Sequence, residues 1–155
     1  MIANKLSICA CNKCFQCLIR VISVSDKSVR VLVVDDDSGI LKLIGVLLER
    51  AGMEAVFAET AREAAAILRE DPLPDIMLLD VMLPEISGID FLRQMREKDR
   101  FQDLPVIILS ALADPQTIRE GLNAGADRYL TKPYLAKNLV NTVQDVVKTG
   151  RRKPS

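Results

Sequence analysis

Histidine is missing from all 155 residues, and that absence excludes more chemistry than any other count. No Ser-His-Asp or Cys-His catalytic arrangement can form, and no imidazole can ligate a metal. A phosphohistidine cannot form on this chain either, so phosphate arriving from a histidine comes from another molecule. Long apolar runs are also missing, and none approaches the ~20 residues that a membrane span needs. A signal peptide is not recognisable, because Asn12, Lys13 and Gln16 interrupt the apolar residues of the first stretch. Net charge is zero, yet unevenly spread. Residues 1–28 and the tail 150–155 are basic, whereas residues 29–149 hold 14 basic and 20 acidic side chains. A body this acidic is not expected to bind nucleic acid directly.

What is present suits one ordinary domain with a packed core, since 49% of the residues are hydrophobic. From Val29 onwards, short apolar runs alternate with amphipathic segments. Val31-Leu32-Val33-Val34 is a continuous apolar run rich in β-branched residues, as expected of a strand buried on both faces. It stops at Asp35-Asp36-Asp37, and a helical pattern from Ile40 to Leu48 follows, ended by Gly52. Ala55–Ala58 predicts a second strand. Thr60 with Glu63 forms a capping box that opens a second helix, which Pro72 and Pro74 end. Ile76–Leu79 predicts the third strand, running into Asp80. A loop with Pro84 and Gly88 then leads to a helix bearing Ile89, Leu92 and Met95. Val106–Leu109 predicts the fourth strand, ending at Ser110, and Asp114-Pro115 reads as a cap followed by a first-turn proline. Arg128–Thr131 predicts the fifth strand, ending at Lys132-Pro133, and a last helix carries Leu135, Leu139, Val143, Val146 and Val147. Five strands alternating with five helices imply parallel βα units with helices on both faces, an α/β fold.

In such sheets ligands bind outside the carboxyl ends of the strands. Those ends bring Asp35 and Asp36, Asp80, Ser110 and Lys132 to one crevice. Clustered carboxylates repel one another, and a divalent cation removes the conflict. Oxygen-only ligands favour Mg²⁺, which commonly takes one or two carboxylates plus water and phosphate oxygens. A lysine beside that cation suits a phosphoryl group, and Ser110 can donate a hydrogen bond to one of its oxygens. The chemistry implied is Mg²⁺-assisted transfer of phosphate onto a carboxylate. Singly, each residue has an ordinary explanation: an acidic helix cap, a common Lys-Pro pair, a serine after a strand. Their joint placement is what carries the reading.

Val33-Val34-Asp35-Asp36-Asp37, Leu78-Leu79-Asp80-Val81-Met82-Leu83-Pro84 with Ser87-Gly88, Ile108-Leu109-Ser110-Ala111 and Tyr129-Leu130-Thr131-Lys132-Pro133 resemble the signature blocks of response-regulator receiver domains. The resemblance covers residues 29–149 and is to the single-domain, chemotaxis-regulator-like form, with no output domain. It implies a flavodoxin-like, doubly wound five-stranded parallel sheet of order 2-1-3-4-5 with five helices. It implies Asp80 as phosphoacceptor, and Asp36, Asp80 and the backbone carbonyl of Met82 as direct Mg²⁺ ligands, with Asp35 acting through a metal-bound water. Ser110 would be the switch hydroxyl that moves to the phosphoryl group, and Tyr129 the aromatic that turns inward in response. Lys132 would pair with the phosphoryl group, and the Lys132–Pro133 bond would be cis. Tyr134 stands where phenylalanine is more usual. The implied partners are a sensor histidine kinase or phosphotransfer protein and a downstream effector on the face of the fourth helix, fifth strand and fifth helix. The implied location is cytoplasmic. A protein of this kind is a phosphoacceptor switch that promotes only its own phosphorylation and dephosphorylation, not an enzyme acting on other substrates.

Two rival readings compete. A haloacid-dehalogenase-type phosphatase also uses an aspartyl nucleophile, Mg²⁺ and lysine, and Asp35-x-Asp37 fits its Asp-x-Asp motif. Gly-Thr does not follow that motif here, and little chain remains for a cap domain. A degenerate receiver used only for docking would have lost a pocket acid or the lysine, and none is lost. Residues 1–28 lie outside the resemblance and hold all four cysteines, Cys9, Cys11, Cys14 and Cys17. Four thiolates could hold Zn²⁺ or an iron–sulfur cluster, but nine residues are a cramped span for that. Disulfides are not expected in a cytoplasmic protein. The preferred expectation is a disordered extension, with a lipid anchor on cysteine as a further alternative.

Overall fold

The computed structural model describes residues 28–133 and 136–151. The four cysteines, Tyr134, Leu135 and residues 152–155 lie outside the described residues, and so do the expectations that fall on them. Strands β1 (Arg30–Val34), β2 (Glu54–Ala58), β3 (Ile76–Asp80), β4 (Val106–Ser110) and β5 (Arg128–Thr131) alternate with helices α1 (Ser38–Arg50), α2 (Ala61–Ile67), α3 (Gly88–Arg96), α4 (Pro115–Asn123) and α5 (Ala136–Thr149). All pairings are parallel, and the strand order is β2-β1-β3-β4-β5. The flavodoxin-like expectation therefore holds.

Side chains alternate across a strand, and this sheet uses both sides of every central strand. Leu32, Val34, Met77, Leu79, Val106 and Ile108 point to one face, where α2 and α3 cover them through Ala64, Leu68, Leu92 and Met95. Val31, Val33, Ile76, Leu78, Ile107 and Leu109 point to the other, under Leu41, Ile44 and Leu48 of α1 and Leu139, Val143 and Val146 of α5. That two-sided burial is why β1, β3 and β4 read as unbroken apolar runs.

Caps fix where the helices begin. Asp37 accepts the amide hydrogens of Gly39 and Ile40, and Asp114 accepts that of Thr117 at 2.9 Å. Thr60 accepts from Glu63, whose own carboxylate reaches back to the amide of Glu59. Helix α2 stops at Ile67, well before Pro72 and Pro74, so the prolines shape the following connection rather than end the helix. Gly88 opens α3 instead of lying in the loop, with Ser87 as its cap. A short 3₁₀ turn, Asp99–Phe101, follows α3 and had no distinct mark in the sequence.

Candidate phosphoacceptor site

The carboxyl ends of β1, β3, β4 and β5 deliver the polar residues to one edge of the sheet. The register sets Asp80 level with Leu109, and Ser110 level with Thr131, so β3, β4 and β5 end within a residue of one another. Asp35, Asp36 and Asp80 each place a carboxylate oxygen within 4.8 Å of the others. Asp35 and Asp80 are buried, whereas Asp36 faces solvent. Lys132 bridges the two buried acids, its Nζ donating to Asp35 Oδ2 at 2.7 Å and to Asp80 Oδ1 at 3.2 Å. The remaining oxygen of Asp80 accepts the Met82 amide at 2.9 Å, and Asp35 Oδ1 accepts that of Asp37 at 3.0 Å. Lys132 is anchored through its own amide, which donates to the carbonyl of Ser110. The Lys132–Pro133 peptide is cis.

Burial pushes the Asp80 carboxyl above its ordinary value, and the neighbouring Asp35 adds to the push, while Lys132 and the Met82 amide oppose it. For Lys132, burial alone would lower its basicity. Its hydrogen bonds and charge pairing with Asp35 and Asp80 outweigh that and hold it above the usual lysine value. One ammonium thus faces three carboxylates, leaving an uncompensated negative charge among oxygen-only donors. Such a set fits a hard divalent cation such as Mg²⁺ and offers nothing to a soft one.

Ser110 is fully buried, and its Oγ accepts the amide of Leu112 at 3.1 Å. The half-buried Tyr129 donates its hydroxyl to the carbonyl of that same Leu112 at 2.8 Å. Met82 and Leu112 expose their side chains, 59% and 37% respectively. Asp35, Asp36, Asp80, Ser110 and Lys132 therefore gather at this edge, with the Met82 amide bonded to Asp80 and Tyr129 linked to Ser110 through Leu112.

Three aspartates had structural roles that the sequence did not disclose. Asp37 spends its carboxylate on the cap of α1, so Asp35 and Asp37 do not form a pair of reacting acids. Asp75 and Asp127 lie at the opposite, amino edge, where Asp75 accepts the Arg30 amide and the buried Asp127 accepts that of Val106 at 2.9 Å. Arg96, whose burial lowers its basicity to about 10, stands 3.8 Å from Asp127 and donates to the Gly125 carbonyl.

Comparison with known proteins agrees with the architecture. The response regulator receiver domain model matches residues 31–144. The phosphate regulon transcriptional regulatory protein PhoB of Pseudomonas aeruginosa is 39% identical over 118 residues, which is 76% of this chain and 51% of that protein. The DNA-binding dual master transcriptional regulator RpaA of Synechocystis is 34% identical over 125 residues, 81% of this chain and 52% of that protein. The chain thus spans about half the length of the curated relatives it matches. Among solved structures, chemotaxis response regulator CheY4 of Vibrio cholerae superposes with a TM-score of 0.72 at 30% identity, covering 77% of this chain and 98% of that one. The Francisella response regulator 1452 receiver domain gives 0.71 at 36% identity, covering 77% and 97%. With matching motif blocks, strand order and family model, the chain belongs to the response regulator receiver domain family.

Proposed function

We propose that Asp80 accepts a phosphoryl group from a phosphohistidine on a separate protein and that this charge switches the binding of an effector. The observation carrying the reading is Lys132 set between two buried acids, with a third carboxylate beside them at the strand ends. In the transfer, a carboxylate oxygen of Asp80 bonds to phosphorus as the phosphorus–nitrogen bond breaks, and the departing imidazole keeps its electron pair and takes a proton. Asp35, Asp36 and Asp80, with the backbone carbonyl of Met82, would hold Mg²⁺, which when bound supplies charge neutralisation for the phosphoryl oxygens. Lys132 supplies a second cation and exchanges part of its pairing with Asp80 for the phosphoryl group. Ser110 gives up its bond from the Leu112 amide to donate to a phosphoryl oxygen. Leu112, freed at its amide, then follows the Tyr129 hydroxyl that its carbonyl accepts, and so passes the change to α4 and β5.

The partners fitting this reading are a histidine kinase or phosphotransfer protein on the input side and an effector on the α4–β5–α5 face. Among the described residues no helix is long and apolar enough to cross a membrane. Incubation with acetyl phosphate and Mg²⁺, read by intact mass, tests the proposal. One added phosphate on the wild type, lost with Asp80→Asn or with chelator, is the expected result. Equal labelling of Asp80→Asn would overturn it, and continuous turnover of a small phosphate ester would instead favour the phosphatase.

A further inference from the structure

Helix α4 rests on the sheet through a residue that has no side chain. Gly121 is the buried residue among the nine of α4, with Thr117 and Ile118 half-buried and Leu122 largely exposed. The helix backbone comes so near the sheet at this point that a Cβ would lie 2.7 Å from Ile108 Cδ1 and 3.1 Å from the Tyr129 ring. The ring therefore occupies the notch that the glycine leaves. Its hydroxyl then reaches the Leu112 carbonyl at 2.8 Å, while the Leu112 amide is held by Ser110 Oγ at 3.1 Å. Both backbone groups of Leu112 are thus gripped, one by each of these two side chains.

We propose that Gly121 is the positioning residue for Tyr129: the notch seats the ring, the seated ring holds Leu112, and residue 121 thereby sets how strongly the phosphoryl state of Asp80 reaches α4. The inference rests on the phosphorylation reading above. Ile108 is fully buried in β4 between β3 and β5, whereas the Tyr129 ring borders solvent. A side chain at 121 crowds both, Ile108 Cδ1 more closely, but only the ring has solvent to move into, so a branched side chain displaces it. With Gly121 its one buried residue, α4 places few side chains in the core, the physical condition for an element that moves at low cost. Glycine lowers helix propensity, so its presence mid-helix points to the packing rather than to the helix.

Full-length protein carrying 3-fluorotyrosine reports the seat by fluorine NMR, because it holds only Tyr129 and Tyr134, and Tyr134→Phe assigns the two signals. In the wild type, beryllofluoride with Mg²⁺ is expected to shift the Tyr129 signal as the seated population rises. Gly121→Val is expected to show one solvent-like Tyr129 signal with and without beryllofluoride, and to bind beryllofluoride about tenfold more weakly, within the usual range of coupling between sites. In a Tyr129→Ala background the same substitution is expected to leave that affinity unchanged. Equal weakening in both backgrounds would mean that Gly121 acts only through helix packing and would overturn the inference, as would a Gly121→Val signal that responds like the wild type. Should Gly121→Val fail to fold by circular dichroism, Gly121→Ala carries the same comparison, because alanine favours the helix and still adds the crowding Cβ. Loss of acetyl-phosphate labelling in the wild type would defeat the underlying reading, whereas wild-type labelling with an unaltered Gly121→Val response defeats this inference alone.

Discussion

Lys132 lies 2.7 Å from one buried carboxylate and 3.2 Å from another, and its ammonium offsets part of the cost of placing two acids side by side at the sheet edge. Because pairing raises the Lys132 value above its ordinary 10.5, its stabilising contribution is complete below that pH. The contribution disappears as pH rises through the still higher folded value. In metal-free protein, the melting temperature of wild type is therefore expected to fall towards that of Lys132→Met only in strongly alkaline solution, and a gap that closes already near neutrality would contradict the pairing. Two neighbours set a different property. Met82 and Leu112 follow Asp80 and Ser110 by two residues, are exposed, and cannot orient an attacking water. Positioned acid–base groups supply about 10²–10⁴-fold in rate, so the Met82→Asn, Leu112→Glu double variant is expected to lose its phosphate at least about tenfold faster than wild type. Decay of purified phosphoprotein measures this, and equal lifetimes would remove these side chains from the account. The acids of the site were readable from sequence because they follow apolar runs that mark the ends of strands, and Lys132 because it closes the Tyr129-Leu130-Thr131-Lys132-Pro133 block. Asp75 and Asp127 were not, since their partners Arg30 and Val106 lie 45 and 21 residues away.

Helix α3 shows how an element can be set by the site it flanks. A Cβ on Gly88 would lie 2.0 Å from the carbonyl oxygen of Asp80, so the first turn of α3 presses directly on the end of β3. Gly88→Ala must push the two apart, and overpacking of this kind costs typically about 1–3 kcal/mol. Chemical denaturation is expected to show that loss together with slower acetyl-phosphate labelling, because Asp80 moves with the strand end. Unchanged stability and labelling would show that the loop absorbs the methyl group. Removing a cap elsewhere behaves differently: Thr60→Ala is expected to cost about 1 kcal/mol and leave labelling intact. Strand positions and most helix starts were evident from periodicity and caps. The early end of α2 and the 3₁₀ turn after α3 were not, because they depend on tertiary packing around Leu68 and Phe101 rather than on local signals.

The whole domain is a sheet with an apolar layer on each face, and its stability is spread over both. Ile107 is fully buried on the α1 and α5 side, and Ile107→Ala is expected to cost about 2–5 kcal/mol by leaving a cavity. Such a change lies at the middle of β4, away from the carboxyl edge, so melting temperature should drop while the folded protein still accepts phosphate. The central claim is narrower than the fold: one carboxylate among twenty acids in residues 29–149 takes the phosphoryl group. Borohydride reduces an aspartyl phosphate to homoserine and leaves free carboxylates and phosphate esters of serine or threonine untouched. Protein phosphorylated with acetyl phosphate and Mg²⁺, reduced in this way and mapped by peptide mass spectrometry, is predicted to carry homoserine at position 80 alone. Homoserine at Asp35, Asp36 or any other acid, or phosphate retained on a hydroxyl, would contradict the account.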